Sequence, residues 1–378
     1  MVANTAPSTR IRIYGCNTRA DLPVGQPSSV AVGNRQVEFI PVISVEESRK
    51  ESRIPLIVRY CRALFANAQS LRLHDIEIAD FHRIEPLLIL RKQLFAKYVF
   101  IHNDMMELYN PNCDIAWRRL PSAYFFVEAR ALSHATGVFC VNRSSVERYK
   151  RDFPDLAKRV AFTTTFYNER VFSFNRYKSM CRFELRRKYG LCADRPLITF
   201  AGRLDAQKDP LLLLRAFDHV IKSGQDCHLA LIGNGTLAAE LRRRASSMGY
   251  PDSIHFLGVR DPNELAELLY CSDVFAISSA YEGMPISILE ALASGVPVVS
   301  TQVGEVERVV SHLDNGFIVS SRTVESFSEG LSWALSSTSA MRSEKCEQSV
   351  RPFSSANVVS SITHMRRKLT GFPDVPVC

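Results

Sequence analysis

The chain has 378 residues, of which 46% are apolar and 23% charged, a composition that suits two ordinary folded domains and argues against disorder. No stretch approaches about 18 uninterrupted apolar residues, so no membrane-crossing helix is expected. The opening MVANTAPSTR lacks the apolar core of a secretory leader, and the expected location is the cytoplasm. The net charge of +8 is uneven: residues 1–190 carry 30 Lys and Arg against 18 Asp and Glu, while the remainder is slightly acidic. A basic front half suits a phosphate-bearing substrate or an acidic membrane surface, and equally a solvated basic face. Nucleic acid ranks last, because no nucleic-acid-binding signature accompanies the charge.

In chain order, the front half offers candidate strands at 11–15, 37–42, 76–81, 98–104, 137–141 and 159–165, with helical spacing over 53–72, 84–96 and 122–134. Pro23 and Pro27 interrupt any helix after the first strand. The polar, basic segment 172–195, closed by Pro196, reads as a linker, so one domain is expected over 1–175 and another over 190–355. The back half is clearer: short apolar runs at 197–202, 228–233, 254–258, 274–278, 298–301 and 317–319 alternate with amphipathic segments. That alternation predicts a parallel sheet covered on both faces, a doubly wound α/β domain. Two such sheets facing one another would line a cleft with their strand C-termini, where ligands of such folds bind. A tail helix over 355–378 is expected to pack back on the first domain. The ten cysteines are scattered without a C-x-x-C pair or a histidine cluster, so zinc is not expected and a reducing compartment is.

Three stretches carry chemistry. In FAGRLDAQKD (200–209), Arg203 and Lys208 flank a polar turn just past a buried strand; an arginine fork and a lysine point charge suit a diphosphate, although an ordinary loop reads the same way. LIGNG (231–235) ends another strand in a glycine turn without completing G-x-G-x-x-G, so a phosphate loop and a plain tight turn both remain open. In YEGMPISILEALASG (281–295), Glu282 lies in the loop, Pro285 opens a helix, and Glu290 sits just over one turn inside it. Between the two acids, the amides of Gly283, Met284, Pro285 and Ile286 surround a helix N-terminus, a natural place for an anion; proline contributes only its carbonyl.

Together, GRLDAQKD, LIGNG, FLG and YEGMPISILEALASGVPVVST, with its E-x7-E, resemble the retaining GT-B glycosyltransferases of family 4, the glycosyl transferases group 1. The resemblance runs over about residues 195–320 and implies two Rossmann-like domains. It further implies transfer of a hexose from a nucleotide-diphosphate sugar, with retention, to a saccharide or lipid-linked saccharide. By it, Arg203 and Lys208 hold the donor diphosphate, Glu282 contacts the donor sugar, Glu290 binds the ribose hydroxyls, and Gly283, Met284, Pro285 and Ile286 lie along sugar and phosphates. VFIHND (99–104) matches the family's strand-end histidine, which makes His102 the group facing the donor sugar, with His82 in DFHRIEP a structural or acceptor-side candidate. The front half departs from the pattern after its first strand, where Gly15 or Gly25 would have to approach the ligand.

No Asp-x-Asp triplet is present, so the expectation is a metal-independent enzyme without a cofactor, with fixed positive charge at Arg203, Lys208 and the helix N-terminus. The basic front half suits a peripheral position on the inner face of the cytoplasmic membrane, where relatives build polysaccharide or glycolipid. An epimerase or hydrolase of the same fold and an inactive carbohydrate-binding scaffold are the alternatives. A dehydrogenase is disfavoured, since no strand is followed by a full dinucleotide fingerprint.

Overall fold

The computed structural model describes residues 11–17, 24–32, 35–44, 53–67, 71, 73, 76–102, 120–341 and 344–370. The chain divides into two compact units, residues 1–163 with 359–378, and residues 164–358.

The first unit holds two sheets. Strands β1 (Arg12–Asn17), β2 (Ser28–Val32) and β3 (Arg35–Ser44) run in the order β1-β3-β2, with β1 parallel and β2 antiparallel to β3. The register of β1 slips between Gly15 and Cys16, opposite Pro41, where the missing proline amide cannot serve the ladder. Strand β2 escapes the sequence pattern because its residues are small or polar and it lies at a sheet edge, unlike the continuous apolar runs. Gly15 is therefore a strand residue against the Phe39 ring, and Gly25 is a turn residue at φ 79° whose amide donates to Pro41 O at 2.8 Å.

Strands β4 (Ile78–Phe81), β5 (Ala96–Ile101), β6 (Gly137–Cys140) and β7 (Val160–Phe162) form a parallel sheet in simple order. The helices of this unit are shorter than the apolar spacing predicts: Arg53–Ala66, Glu85–Ile89 and Pro121–Leu132. The second stops early because Leu90 leaves helical geometry and residues 90–95 carry the chain to β5, exposing Leu94 fully while Phe95 is buried. Part of helix Pro121–Leu132 faces a buried polar network. The Glu128 carboxylate accepts from Arg148 Nη2 at 2.7 Å and Tyr149 Oη at 2.6 Å.

The second unit is a six-stranded parallel sheet of β8 (Leu197–Ala201), β9 (His228–Ile232), β10 (Ile254–Gly258), β11 (Val274–Ile277), β12 (Val298–Thr301) and β13 (Gly316–Val319), ordered β10-β9-β8-β11-β12-β13. Strands β8, β9, β11 and β12 are buried at every position, which is why they read as unbroken apolar runs. One face packs Leu212, Phe217, Phe327 and Leu331 from helices Pro210–Lys222 and Val324–Met341; the other packs Leu268, Ile288, Leu289 and Val350. Sequence order reverses between β8 and β11, so the loops after these two strands leave the sheet side by side.

Residues 172–195, a linker by composition, include the helices Phe174–Tyr177 and Arg182–Lys188, and Phe172, Tyr177, Leu185 and Leu191 join the second unit's core. Their charges are used locally: Arg182 and Arg186 pair with Asp273 at 2.7 and 2.5 Å, and Arg186 Nε donates to Cys271 O at 2.9 Å. Helix Ser355–Thr370 starts in the second unit, where Glu169 accepts from Ser355 N at 2.9 Å, and its later residues belong to the first, where Arg366 pairs with Asp80. No described helix is long and apolar enough to cross a membrane.

Truncating Glu128 would remove the carboxylate that Arg148 and Tyr149 share, at a site where the Arg148 side chain is 8% exposed. Glu128→Ala should destabilise the first unit by about 3 kcal/mol, read as a lower denaturation midpoint in urea; an unshifted midpoint would remove the network from the stability argument.

Candidate active site

The second unit's site is assembled where β8 and β11 end. Past β8, Asp209 adopts a left-handed conformation at φ 41° and caps helix Pro210–Lys222 by accepting from Leu212 N at 3.2 Å. Residues 202–208 form the loop between β8 and this cap. The neighbouring loop after β9 lies directly on them. A Cβ on Gly233, at φ 131°, would stand 1.9 Å from Gly202 O, so the first glycine of LIGNG is required by loop-on-loop packing.

The loop after β11 is held residue by residue. Ser278 Oγ donates to Lys208 O and Asp209 O at 3.0 and 2.8 Å, Thr301 Oγ1 donates to Ser279 O at 2.8 Å, and Ala280 N donates to Gln207 O at 2.8 Å. Gln207 Nε2 reaches Tyr281 O at 3.2 Å, Glu305 N donates to Gly283 O at 2.9 Å, and Thr165 Oγ1 donates to Met284 O at 3.1 Å. Gly304 permits the approach from below, since a Cβ there would lie 1.9 Å from Gly283 O. Fixing the backbone on both sides of Glu282 fixes where its carboxylate can go.

That carboxylate meets the β8 loop. Lys208 Nζ pairs with Glu282 Oε1 at 2.6 Å, and Ser279 Oγ donates to the same oxygen at 2.9 Å. The side chains of Lys208 and Glu282 are 15% and 11% exposed, shielded enough that their attraction exceeds that of a surface pair. Arg203 is more open, at 59%, pairing with Asp205 and donating from Nη2 to Gln207 Oε1 at 2.7 Å. Sequence spacing singles out Arg203, Lys208 and Glu282; it has no signal for Gln207 and Ser279, which position them.

Helix Ile286–Ala293 follows with Pro285 at its N-cap and no side-chain cap, so its first amides face the loop that carries Glu282. Gly283, Met284 and Pro285 are buried, and Ile286 is exposed. Glu290, the fifth residue of the helix, is half-buried, and among the described residues its carboxylate has no hydrogen bond or ion pair. Burial without compensation pushes this carboxyl up to about 7.

In the first unit, His82 and His102 each stand one residue beyond the ends of the paired strands β4 and β5. His82 Nδ1 and His102 Nε2 are 2.9 Å apart, their rings stack at 5.2 Å, and His82 also stacks on Phe100 at 5.4 Å. Burial lowers the pKa of both rings; at His102 the neighbouring His82 lowers it further, whereas at His82 the Asp80 carboxylate acts the other way. Sequence spacing names both histidines but not that they touch. The rest of that motif, residues 103–110, lies outside the described residues. Among the described residues no group of three or more His, Cys, Asp or Glu side chains could hold a metal ion.

The Glu290 environment has a measurable consequence. The folded chain keeps this proton up to about pH 7 whereas an unfolded glutamate releases it near 4.5, so the group makes the fold progressively less stable as pH rises between those values. Thermal denaturation from pH 4.5 to 7.5 should therefore show the Tm of Glu290→Gln gaining on that of the wild type; parallel curves would mean that Glu290 ionises normally.

Residues 182–351 match the glycosyl transferases group 1 family. An uncharacterized glycosyltransferase from Methanocaldococcus jannaschii is 32% identical over 155 residues, which are 41% of this chain and 40% of that protein. The chain thus spans less than half the length of that relative. Sucrose-phosphate synthase from Thermosynechococcus elongatus superposes over 95% of this chain and 89% of its own, with a TM-score of 0.74 at 18% identity. Anabaena HepE in complex with UDP-glucose superposes over 89% and 86%, with a TM-score of 0.67 at 15% identity. The fold is GT-B, and the part of the chain that matches the glycosyl transferases group 1 is the 182–351 stretch of the second unit.

Proposed function

We propose that the protein is a retaining, family 4 glycosyltransferase that moves a hexose from a nucleoside diphosphate sugar to a saccharide or lipid-linked saccharide, in polysaccharide or glycolipid synthesis. One observation carries this reading. At the reversal between β8 and β11, Lys208 meets Glu282, with Arg203 on the same loop as the lysine and Glu290 on the helix that follows Glu282, an order that suits a nucleotide sugar. Lys208 and Arg203 neutralise the diphosphate, the first as a point charge and the second as a fork. Glu282 accepts from sugar hydroxyls. Glu290, desolvated and without a partner among the described residues, accepts from the ribose hydroxyls. Backbone groups of Gly283, Met284, Pro285 and Ile286 run alongside sugar and phosphates, and the uncapped helix end favours the anion. His102, oriented by His82, hydrogen-bonds the donor sugar or stabilises positive charge at its anomeric carbon.

In the transfer, the acceptor oxygen forms its bond to the anomeric carbon on the face from which the diphosphate leaves. The carbon–oxygen bond to the phosphate breaks with its electron pair going to that oxygen, and the acceptor's proton follows to the departing diphosphate. Fixed positive charge at Arg203, Lys208 and the helix end takes up the developing negative charge, so neither metal nor cofactor is required. The basic excess of residues 1–190 supports docking on an anionic membrane surface, where a lipid-linked acceptor would be found.

Thermal-shift screening against UDP-, GDP-, ADP- and dTDP-sugars should raise the Tm for one donor class. Turnover of that donor should persist in EDTA and fall at least about a hundredfold in Glu282→Ala without loss of fold. Turnover restored only by Mg²⁺ or Mn²⁺ would end the metal-free reading, unchanged turnover in the variant would end the role of Glu282, and product formed without acceptor would mark a hydrolase or epimerase. Co-sedimentation with vesicles should favour anionic over neutral lipid; equal partition would remove the membrane from the account.

A further inference from the structure

We infer that the Lys208–Glu282 ion pair is a latch, opened by the donor's diphosphate, that releases Glu282 to receive the sugar. The inference rests on reading the second unit's site as a donor site and adds the order in which its parts are engaged. Lys208 Nζ is held by Glu282 Oε1 at 2.6 Å, and a diphosphate reaching the same ammonium would bring two anions together across it. In the low-dielectric setting of side chains only 15% and 11% exposed, that repulsion favours separating the pair. Arg203 shows the same arrangement, occupied by Asp205 and Gln207.

The backbone leaves only the side chains free to respond. The Gln207–Ala280, Gln207–Tyr281 and Ser278–Lys208 hydrogen bonds tie the two loops together, and Glu305 holds Gly283 from the other side. Lys208 has a flexible four-carbon stem, lying 3.7 Å from where a Cβ on Gly202 would be, and can swing without disturbing either loop. Glu282 keeps its hydrogen bond from Ser279 at 2.9 Å, so the carboxylate stays oriented when the lysine leaves. Diphosphate binding and sugar binding are thereby coupled: the carboxylate is available to a sugar hydroxyl once a phosphate has taken the lysine.

Isothermal titration with inorganic pyrophosphate in metal-free buffer tests the latch without a sugar or a base. Glu282→Gln should bind pyrophosphate about tenfold more tightly than the wild type, because Lys208 no longer has to leave a partner. In a Lys208→Met background the same change should bring less than about a twofold gain. A gain of equal size in both backgrounds would mean only that a neighbouring negative charge had been removed, and would overturn the latch. So would an unchanged or weaker affinity in Glu282→Gln, or no binding by any variant. If Glu282→Gln does not fold, Glu282→Asp, which keeps the charge but draws it back from Nζ, should move affinity in the same direction. Sugar-nucleotide turnover judges the donor reading separately: its absence leaves a positive pyrophosphate cycle standing, and a flat cycle leaves turnover standing.

Discussion

The pairing of β8 with β11 is the constraint on which the second unit's chemistry depends. These strands are 76 residues apart at their paired positions Thr199 and Phe275, and hydrogen bonding makes them neighbours. Each is followed by a helix on an opposite face of the sheet, so their loops diverge from a common edge. That edge is where Lys208, from one loop, meets Glu282, from the other. Neither residue could find the other through local structure, since the distance along the chain is far beyond any helical or hairpin contact.

Around that meeting point the protein arranges charge by two different means. At Glu282 it supplies partners, an ammonium and a hydroxyl on one oxygen. At Glu290 it withholds them and lets burial raise the carboxyl to about 7. The two acids of E-x7-E are thus electrostatically distinct although they share one loop-and-helix segment. A carboxylate with an internal partner must exchange it to bind anything else, while one that is merely desolvated gains from any donor that arrives. The buried network at Glu128 follows the first pattern for a structural purpose, with a guanidinium and two tyrosines around one carboxylate.

Four of the second unit's strands, β8, β9, β11 and β12, were legible because they are buried at every position and therefore largely apolar. The first unit was less so. Strand β2 carries small and polar residues at an edge, and helix Glu85–Ile89 ends well before its apolar pattern does. The segment 172–195 has the composition of a linker, yet Arg182 and Arg186 are spent on Asp273 and on carbonyls at the ends of neighbouring elements. Charge counts identify cations but not their partners. The glycines of LIGNG show the converse limit: the motif is visible, while its reason, a carbonyl from the next loop pressed against Gly233, is a tertiary fact.

By itself, the sequence determined the alternation of buried strands and amphipathic helices in the back half, the cations of GRLDAQKD and the two acids of the E-x7-E stretch. Hydrophobic period and turn chemistry are local properties, and they suffice for those features. Only the tertiary structure decided which strands are neighbours, that Lys208 is paired with Glu282 while Glu290 has no partner among the described residues, and that His82 lies against His102. Strand order, pairing and desolvation depend on atoms brought together from distant parts of the chain, and a one-dimensional pattern carries no record of those distances.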